Sequence, residues 1–330
     1  MKTQIYNNQL SNISNKAKDF SDKIWYNFFG DNMNYDTIKS TSDGLNLSIT
    51  YILPKGKSKG IIQFSHGMAE HKERYYPLMQ YLSNNGYICI IHDHRGHGKS
   101  IKSNNDLGYF YTKDINYIID DLYNVTCYAK NKFNNSNVYL FSHSMGTLVA
   151  RGYIQKYDNQ INKLILCGAP TKNSLGIIGL SLAYISSIFN DHKKDNILDY
   201  LTFNNFNKNY DYKNAWLSKS KDNVINYNND NLCGFTFTTN GFINLYKLQI
   251  NAFKKKLYNC KNKNLNIFMI AGENDPVIGN INLFNDLKLF LLCIGYKNIE
   301  SKLYKDLRHE ILNEENNKLI YQDILNFIQK

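Results

Sequence analysis

Ser144 lies in a segment whose pattern suits a catalytic nucleophile. An apolar run from Val138 to Phe141 has the length and composition of a buried strand, and it breaks at Ser142-His-Ser-Met-Gly146. The apolar spacing that follows, as far as Ile154, is helical. A strand, a sharp turn and a helix form the context of a nucleophile elbow, which projects a serine hydroxyl above a sheet. An ordinary strand-to-helix turn is the alternative, so Ser144 as nucleophile requires partners elsewhere in the chain.

The first partner required is a base, because a neutral serine is a poor nucleophile. In elbow-type hydrolases the nucleophile, the acid and the histidine follow one another along the chain. Of the eight histidines, only His192 and His309 come after Ser144. His192 lies in a charged segment away from any predicted strand end. His309 follows a predicted strand, where ligands gather at the carboxyl edge of an open sheet, and we predict it as the base.

The acid that orients the base is predicted at Asp275. It lies in Gly272-Glu-Asn-Asp-Pro-Val277, directly after a predicted strand, and the proline that follows it favours extended backbone. Glu273 in the same segment and Asp306 near His309 are the alternatives. Adjacency in sequence does not aim the Asp306 carboxylate at the far side of the imidazole ring, so Asp275 is preferred.

A tetrahedral intermediate also needs N–H donors arranged in advance around its negative oxygen. The backbone N–H of Met145, immediately after the nucleophile, is one predicted donor. The other is the backbone N–H of Met68, in the loop that follows an earlier predicted strand, where Gly67 supplies backbone freedom. Both donors are main-chain groups, so the identity of the two side chains is incidental.

Predicted strands and helices alternate over most of the chain, and this alternation would position the site. Strands are predicted at 60–65, 87–91, 138–141, 163–168, 266–271 and 301–304, and helices near 75–82, 115–132, 283–294 and from about 314. Asp43-Gly44 between alternating runs predicts a hairpin ahead of them. The pattern indicates an α/β fold with a mostly parallel central sheet, helices on both faces and an inserted helical cap.

The alternation stops over 171–250, which we interpret as the inserted cap or lid between core segments 37–170 and 251–330. Residues 1–36 are predicted as an N-terminal extension with a helix near 16–29. The apolar stretch from Leu175 to Phe189 is too short to cross a bilayer. It is interpreted either as a helix buried in the cap or as a lid helix that meets lipid. Aromatic residues over 230–237 either line an acyl pocket or pack within the cap.

The overall composition excludes some classes of protein. The formal charge is +11 over 330 residues, but lysines occur throughout the loops without interleaved aromatics, so nucleic-acid binding is not expected. Weak attraction to anionic membrane surfaces is expected from charge alone. The six cysteines form no CxxC pair, the N-terminus is polar and no apolar run reaches the length of a membrane span. These features predict free thiols and a cytoplasmic protein.

Two clusters of polar residues invite a catalytic or metal-binding interpretation. In His92-Asp-His-Arg-Gly-His-Gly98, His92 and His94 are two residues apart and would share one face of a strand. The order of the residues nevertheless matches no common metal-ligand signature. Asp93 and Arg95 are instead expected to build a tight hydrogen-bonded turn beside the site. Glu70, His71 and Arg74 are expected to form a structural cluster of ion pairs and hydrogen bonds. We predict no metal and no organic cofactor.

Four motifs, taken together, resemble a known family. They are His66-Gly-Met-Ala-Glu-His-Lys-Glu-Arg-Tyr75, Asp93-His-Arg-Gly-His-Gly-Lys-Ser100, Ser142–Gly146, and Gly272–Val277 with the later His309-Glu310. The chain resembles the monoacylglycerol lipase and lysophospholipase-like (serine aminopeptidase S33) branch of the α/β-hydrolase superfamily over about residues 37–328. The resemblance implies a catalytic triad of Ser144, Asp275 and His309, oxyanion donors at Met68 and Met145, and a lid over an acyl-binding tunnel. Ser142 replaces the family's usual glycine and is small enough for the turn.

The expected activity is hydrolysis of carboxylic esters of small lipids, monoacylglycerols or lysophospholipids, through an acyl-enzyme on Ser144. The expected partner is a small lipid ester, with transient membrane-surface contact through the cap. The same triad also serves peptidases, thioesterases and C–C bond hydrolases, and an inactive binding protein on this scaffold is a further alternative. The sequence indicates no particular oligomeric state.

Overall fold

A single central sheet carries the candidate site. The computed structural model describes residues 32–173, 175–208 and 210–330, and the predicted helix at 16–29 lies outside them. In these residues eight strands form one sheet in the order β1-β2-β4-β3-β5-β6-β7-β8. The strands are β1 (Met33–Lys39), β2 (Asn46–Ile52), β3 (Ile61–Ser65), β4 (Ile88–His92), β5 (Val138–His143), β6 (Lys163–Cys167), β7 (Asn266–Gly272) and β8 (Asn298–Tyr304).

The sheet is antiparallel at one edge and parallel elsewhere. Strands β1 and β2 form the predicted hairpin, and β2 pairs antiparallel with β4. Gly44 in the turn has a φ of +74°, a conformation that favours glycine. From β4 to β8 every neighbouring pair is parallel. The predicted α/β fold with a mostly parallel sheet is confirmed.

Helices surround this sheet and connect its strands. They are α1 (Tyr76–Asn84), α2 (Asn116–Phe133), α3 (Met145–Tyr157), α4 (Gly176–Ser187), α5 (Asn196–Phe203), α6 (Lys221–Asn229), α7 (Thr239–Asn251), α8 (Ile281–Ile294) and α9 (Lys318–Gln329). The last helix begins four residues later than predicted because 311–313 form a short 3₁₀ turn first. No helix within the described ranges has both the length and the apolar character that crossing a bilayer needs.

Apolar side chains fill both faces of the sheet. Ile61 and Leu140 belong to one buried cluster, whereas Ile62 and Phe141 belong to a second cluster on the opposite face. Alternate strand residues point to opposite faces. Every residue of β3, β4 and β6 is buried, which accounts for the continuous apolar runs in the sequence. The buried sheet gives the site a rigid base.

Between β6 and β7 the chain leaves the sheet and forms helices α4 to α7. Helix α4 packs on α7 so closely that a Cβ on Gly179 would lie 2.7 Å from the Tyr246 ring. The opposite side of α4 is open: Ile177 and Ile185 are exposed, and within the helix only Gly176 and Ala183 are buried. The interpretation of 175–189 as a buried helix is therefore wrong, because only one side of α4 is covered. The boundaries 171–250 of the cap stay a prediction.

Candidate active site

The turn between β5 and α3 holds Ser144 in a strained conformation. Its φ of +50° and ψ of −122° lie in a region that side chains other than glycine rarely adopt. The N–H of Ser144 donates to the Cys167 carbonyl of β6 at 3.0 Å, and the residue is half-buried. A Cβ on Gly146 would lie 2.2 Å from the Ser65 carbonyl oxygen, so only glycine fits this crossing of α3 and β3. This backbone is that of a nucleophile elbow.

Ser142 takes part in the same turn. Its hydroxyl is buried and donates to the Ile165 carbonyl of β6 at 2.8 Å. The side chain therefore joins β5 to β6, and the elbow forms with serine in place of glycine. Because the Ser142 hydroxyl is engaged and inaccessible, it does not compete with Ser144 as a nucleophile.

Asp275 and His309 meet after β7 and β8. The imidazole Nδ1 lies 3.0 Å and 2.9 Å from the two carboxylate oxygens, and each residue is only 2% exposed. The N–H of Val277 donates to the same carboxylate at 2.8 Å. Both Asp275 oxygens accept from Nδ1–H, which leaves Nε2 of His309 free to take a proton. The alternative acids, Glu273 and Asp306, are exposed, and the Glu273 carboxylate accepts from the backbone N–H of Asp306 at 3.4 Å.

Ser144 and His309 lie at the same carboxyl edge of the sheet. The Ser144 N–H donates to the carbonyl of Cys167. Gly168 follows Cys167 in the chain, and a Cβ on Gly168 would lie 2.9 Å from Cε1 of His309. Gly168 itself has a φ of +57°, so the chain turns directly beneath the ring. Within the described ranges the Ser144 hydroxyl forms no hydrogen bond with the imidazole. In enzymes without substrate such bonds are often long and shorten in the Michaelis complex.

The Met145 N–H is available to a substrate oxygen. Met145 is the first residue of α3, so its N–H has no partner within the helix. The Ser144 carbonyl accepts from the N–H and the hydroxyl of Thr147, at 2.9 Å and 2.7 Å. In a trans peptide the C=O and N–H point in opposite directions, so the Met145 N–H points out of the helix. The helix dipole adds partial positive charge there.

The Met68 N–H is aimed by His66, a role that the sequence did not predict. The backbone N–H of His94 donates to Nε2 of His66 at 2.8 Å. The ring proton of the neutral His66 imidazole must therefore be on Nδ1. That Nδ1–H donates to the Gly67 carbonyl at 2.8 Å. The trans peptide then directs the Met68 N–H to the other side, where it forms no hydrogen bond within the described residues.

Glu70 also holds the loop that contains Gly67 and Met68. Its carboxylate accepts from the Gly67 N–H at 2.6 Å, the Tyr75 hydroxyl at 2.8 Å and Arg74 at 2.9 Å. Burial alone would raise the pKa of Glu70, but hydrogen bonding with His143 and the charge of Arg74 hold this pKa well below its usual range. Arg74 also pairs with Glu310. The predicted cluster of structural ion pairs is confirmed for Glu70 and Arg74.

Asp93 and Arg95 form the predicted turn. Asp93 accepts from the backbone N–H groups of Lys72 and Lys99, both at 2.9 Å, and from the Lys72 ammonium at 2.5 Å. The Arg95 side chain is fully buried and pairs with Asp121 at 2.8 Å. The turn is thus fixed by charged hydrogen bonds in the protein interior.

The histidines of this segment are neutral. Burial lowers the pKa of His92 and of His97 to about 3 in each case. Among the described residues, the ligand atoms that converge in a way suited to a metal belong to His71, Asp230 and Cys233, within 4.8 Å of one another. His71 Nε2 already bonds to Asp230 at 2.8 Å. This group lies where the loop after β3 meets the loop after α6, not in the triad.

Residues 215–218, between α5 and α6, cover the histidine loop. The Trp216 ring lies 5.3 Å from that of His309, centroid to centroid. Arg308 donates to the carbonyls of Ala215 and Ser218 at 2.7 Å and 2.8 Å, and the Glu310 N–H donates to Leu217 at 2.7 Å. The indole therefore covers one side of the buried His309 ring.

Of the aromatics at 230–237, Phe237 is fully buried against Phe110 and Phe242. For this residue packing is the better interpretation. Phe235 is half-buried beside His97.

Comparison with known proteins agrees with this arrangement. A family model described as "Serine aminopeptidase, S33" matches residues 56–316. A "Probable lysophospholipase L2" from Haemophilus influenzae is 24% identical over 82% of this chain and 85% of its own length. A monoacylglycerol lipase from Mycolicibacterium smegmatis is 21% identical over 83% of this chain and 90% of its own. The crystal structure of a carboxyl esterase from Bacillus coagulans superimposes with a TM-score of 0.81 at 23% identity, over 90% of this chain and 98% of that one.

Proposed function

The chain belongs to the serine aminopeptidase S33 family of hydrolases, and we propose that it cleaves carboxylic esters of lipids, of the monoacylglycerol or lysophospholipid type, through an acyl-enzyme on Ser144. The observation that carries this proposal is the Asp275–His309 pair, buried at the sheet edge that also presents the Ser144 elbow. Relatives named as a lysophospholipase and a monoacylglycerol lipase support the substrate class.

In the first half-reaction His309 Nε2 takes the proton of Ser144 as its oxygen attacks the ester carbonyl. The developing oxyanion accepts from the N–H groups of Met68 and Met145, which have no other partner among the described residues. These donors stabilise charge that is present only in the transition state and intermediate. Asp275 stabilises the imidazolium, which then gives its proton to the departing alcohol.

In the second half-reaction water replaces the alcohol. His309 takes a proton from the water as it attacks the acyl carbon, then gives that proton to the Ser144 oxygen as the bond between this oxygen and the acyl carbon breaks and the acid leaves. Every step uses side chains and backbone groups of this chain.

The apolar face of the α4–α5 region supports a lipid substrate delivered from a membrane surface. Ile188 and Phe189, at the end of α4, are 79% and 86% exposed. An apolar surface beside a site that takes acyl chains, on a chain with a formal charge of +11, suits transient contact with anionic bilayers. All six cysteines are free thiols, which supports a cytoplasmic location for this peripheral contact.

An activity-based probe tests the nucleophile. A fluorophosphonate should label the wild-type protein and should fail to label Ser144→Ala. Ser42→Ala, in the hairpin turn away from the site, should label like wild type. Labelling of Ser144→Ala at the wild-type level would remove Ser144 from its role.

A substrate panel tests the ester class. Monoacylglycerols, lysophospholipids, p-nitrophenyl esters of increasing chain length and matched amides would be compared by kcat/KM. We expect the long-chain esters to be preferred. A preference for amides would favour a peptidase, and activity confined to acetyl esters would contradict a lipase.

A further inference from the structure

His143, directly before the nucleophile, lies between two acceptors. Its ring is buried, with Nδ1 3.4 Å from Oε1 of Glu70 and Nε2 3.3 Å from the carbonyl oxygen of His309. A neutral imidazole has one N–H and one bare nitrogen. In either neutral tautomer a bare nitrogen would face an oxygen lone pair. Only the doubly protonated ring satisfies both contacts.

Glu70 cannot supply the missing proton. Oε1 already accepts from the Gly67 N–H and the Tyr75 hydroxyl, and Oε2 accepts from Arg74. A carboxylate surrounded by donors is held ionised. The carbonyl of His309 has no proton to give. The charge on the ring therefore follows from the partners on its two sides.

We propose that His143 is an imidazolium at neutral pH that positions both the catalytic base and the oxyanion loop. This proposal rests on the proposed function, because it assigns a positioning residue to the same reaction. Nε2–H holds the backbone of His309, and the two rings lie 4.6 Å apart with an interplanar angle of 39°. On the other side Nδ1–H holds Glu70, which in turn holds the Gly67 N–H before the Met68 donor.

The surrounding charges support this assignment. Burial alone would lower the pKa of His143, but hydrogen bonding and charge from Glu70 outweigh it and raise this pKa. The other charged or titratable groups around the ring are Arg74, Tyr75 and Glu310 on the Glu70 side, and Asp275 with His309 on the other. The Arg74 guanidinium is itself paired with Glu310, whereas the His143 ring lies 4.6 Å from that of His309, centroid to centroid.

A nitrogen NMR measurement on the wild-type protein tests the charge without any variant. At a pH of about 7.5, above the ordinary histidine pKa of about 6.5, both ring nitrogens of most His143 side chains should still carry protons. The His143 ring signals are assigned by their absence from the spectrum of His143→Gln. One protonated and one bare nitrogen at that pH would overturn the proposal.

The pH–rate profile tests the effect on catalysis. The acidic limb of kcat/KM reports the pKa of the base in the free enzyme. A neighbouring cation opposes protonation of His309, so His143→Gln should move this limb to higher pH by on the order of one unit. Tyr75→Phe removes a bond to the same Glu70 carboxylate without removing a charge, and should leave the limb in place.

Different results would contradict the role of His143 and the proposed function. A lower rate in His143→Gln with an unmoved limb would show a structural role only and would overturn the proposal. If the wild-type protein failed to label with a fluorophosphonate, the proposed function would fall, while the NMR result would still decide the charge on His143.

Discussion

Asp275 and His309 lie 34 positions apart in the chain, yet their side chains meet in a bidentate contact. Their pairing could be predicted because each follows a strand of a parallel sheet, and such strand ends converge. The roles of His66, His143 and Trp216 could not be predicted in the same way. They depend on ring orientation and on which nitrogen carries a proton, and residue spacing does not determine either.

Replacing Asp275 by asparagine should lower kcat by about 10³ to 10⁴-fold, because the amide no longer fixes the tautomer that leaves Nε2 free. KM should change little, since the side chain is buried behind the imidazole. Steady-state hydrolysis of a p-nitrophenyl ester measures both constants. Glu273→Gln removes an exposed carboxylate of the same segment and should keep activity near wild type. Loss of activity in Glu273→Gln, with near-wild-type activity in Asp275→Asn, would identify Glu273 as the acid.

The buried pair of Asp93 and Lys72 is expected to set the resistance to acid. The Lys72 ammonium and neighbouring charges overcome burial and lower the pKa of Asp93 in the folded protein. A depressed pKa contributes stability above the unfolded value of about 3.9, and this stability is lost as the pH falls through the folded value. Lys72→Met leaves the carboxylate unpaired and should cost about 3–5 kcal/mol. Urea unfolding at neutral pH, with the exposed Lys57→Met as control, measures the loss; equal stabilities would contradict the role of the pair.

At the scale of elements, the strands were predicted well because β3, β4 and β6 are buried along their whole length and read as unbroken apolar runs. For helix α4 the sequence left a buried helix and a lid helix both open, since an apolar composition alone does not reveal whether a neighbour covers each face. Strand β8 begins three residues earlier than predicted because Asn298, Ile299 and Glu300 pair with β7 although two of the three are polar. Backbone pairing, invisible in side-chain patterns, determines that boundary.

The crossing of α3 over β3 gives a prediction at this scale. Gly146→Ala would place a methyl group 2.2 Å from the Ser65 carbonyl oxygen, so the strand and helix must separate. Overpacking of this kind typically costs about 1–3 kcal/mol or more. Thermal unfolding should show the loss, and fluorophosphonate labelling should fall as the elbow moves. Gly176→Ala, whose nearest neighbouring atom would be 3.8 Å away, should behave as wild type; equal losses in both would contradict the steric account.

At the scale of the whole molecule, the exposed apolar residues are concentrated on α4, α5 and the segment between them. The exposed apolar residues in this region are Leu175, Ile177, Ile178, Leu182, Tyr184, Ile185, Ile188, Phe189, Ile197, Tyr200 and Leu201. Large apolar patches on soluble proteins mark interaction sites. This surface lies on the connection between β6 and β7, whereas Ser144, Asp275 and His309 follow β5, β7 and β8.

Vesicle binding should depend on this surface. Wild-type protein should sediment with anionic lipid vesicles, and Ile188→Glu with Phe189→Glu should reduce the bound fraction about tenfold or more, since charged residues resist insertion into the acyl region. Leu319→Glu, a 59%-exposed leucine on α9, is the matched control and should bind normally. Activity on a water-soluble ester should remain unchanged in both variants. Binding that survives the double substitution would place the membrane contact elsewhere.

The indole of Trp216 places a fluorophore beside the imidazole of His309, the proposed base. The chain has two tryptophans, and the other, Trp25, lies outside the described residues. In a Trp25→Phe background all indole emission would therefore arise at a ring 5.3 Å from the base. A proton arriving on that base quenches a neighbouring indole, so a fluorescence titration should follow the protonation of one side chain, and stopped-flow mixing should follow each turnover.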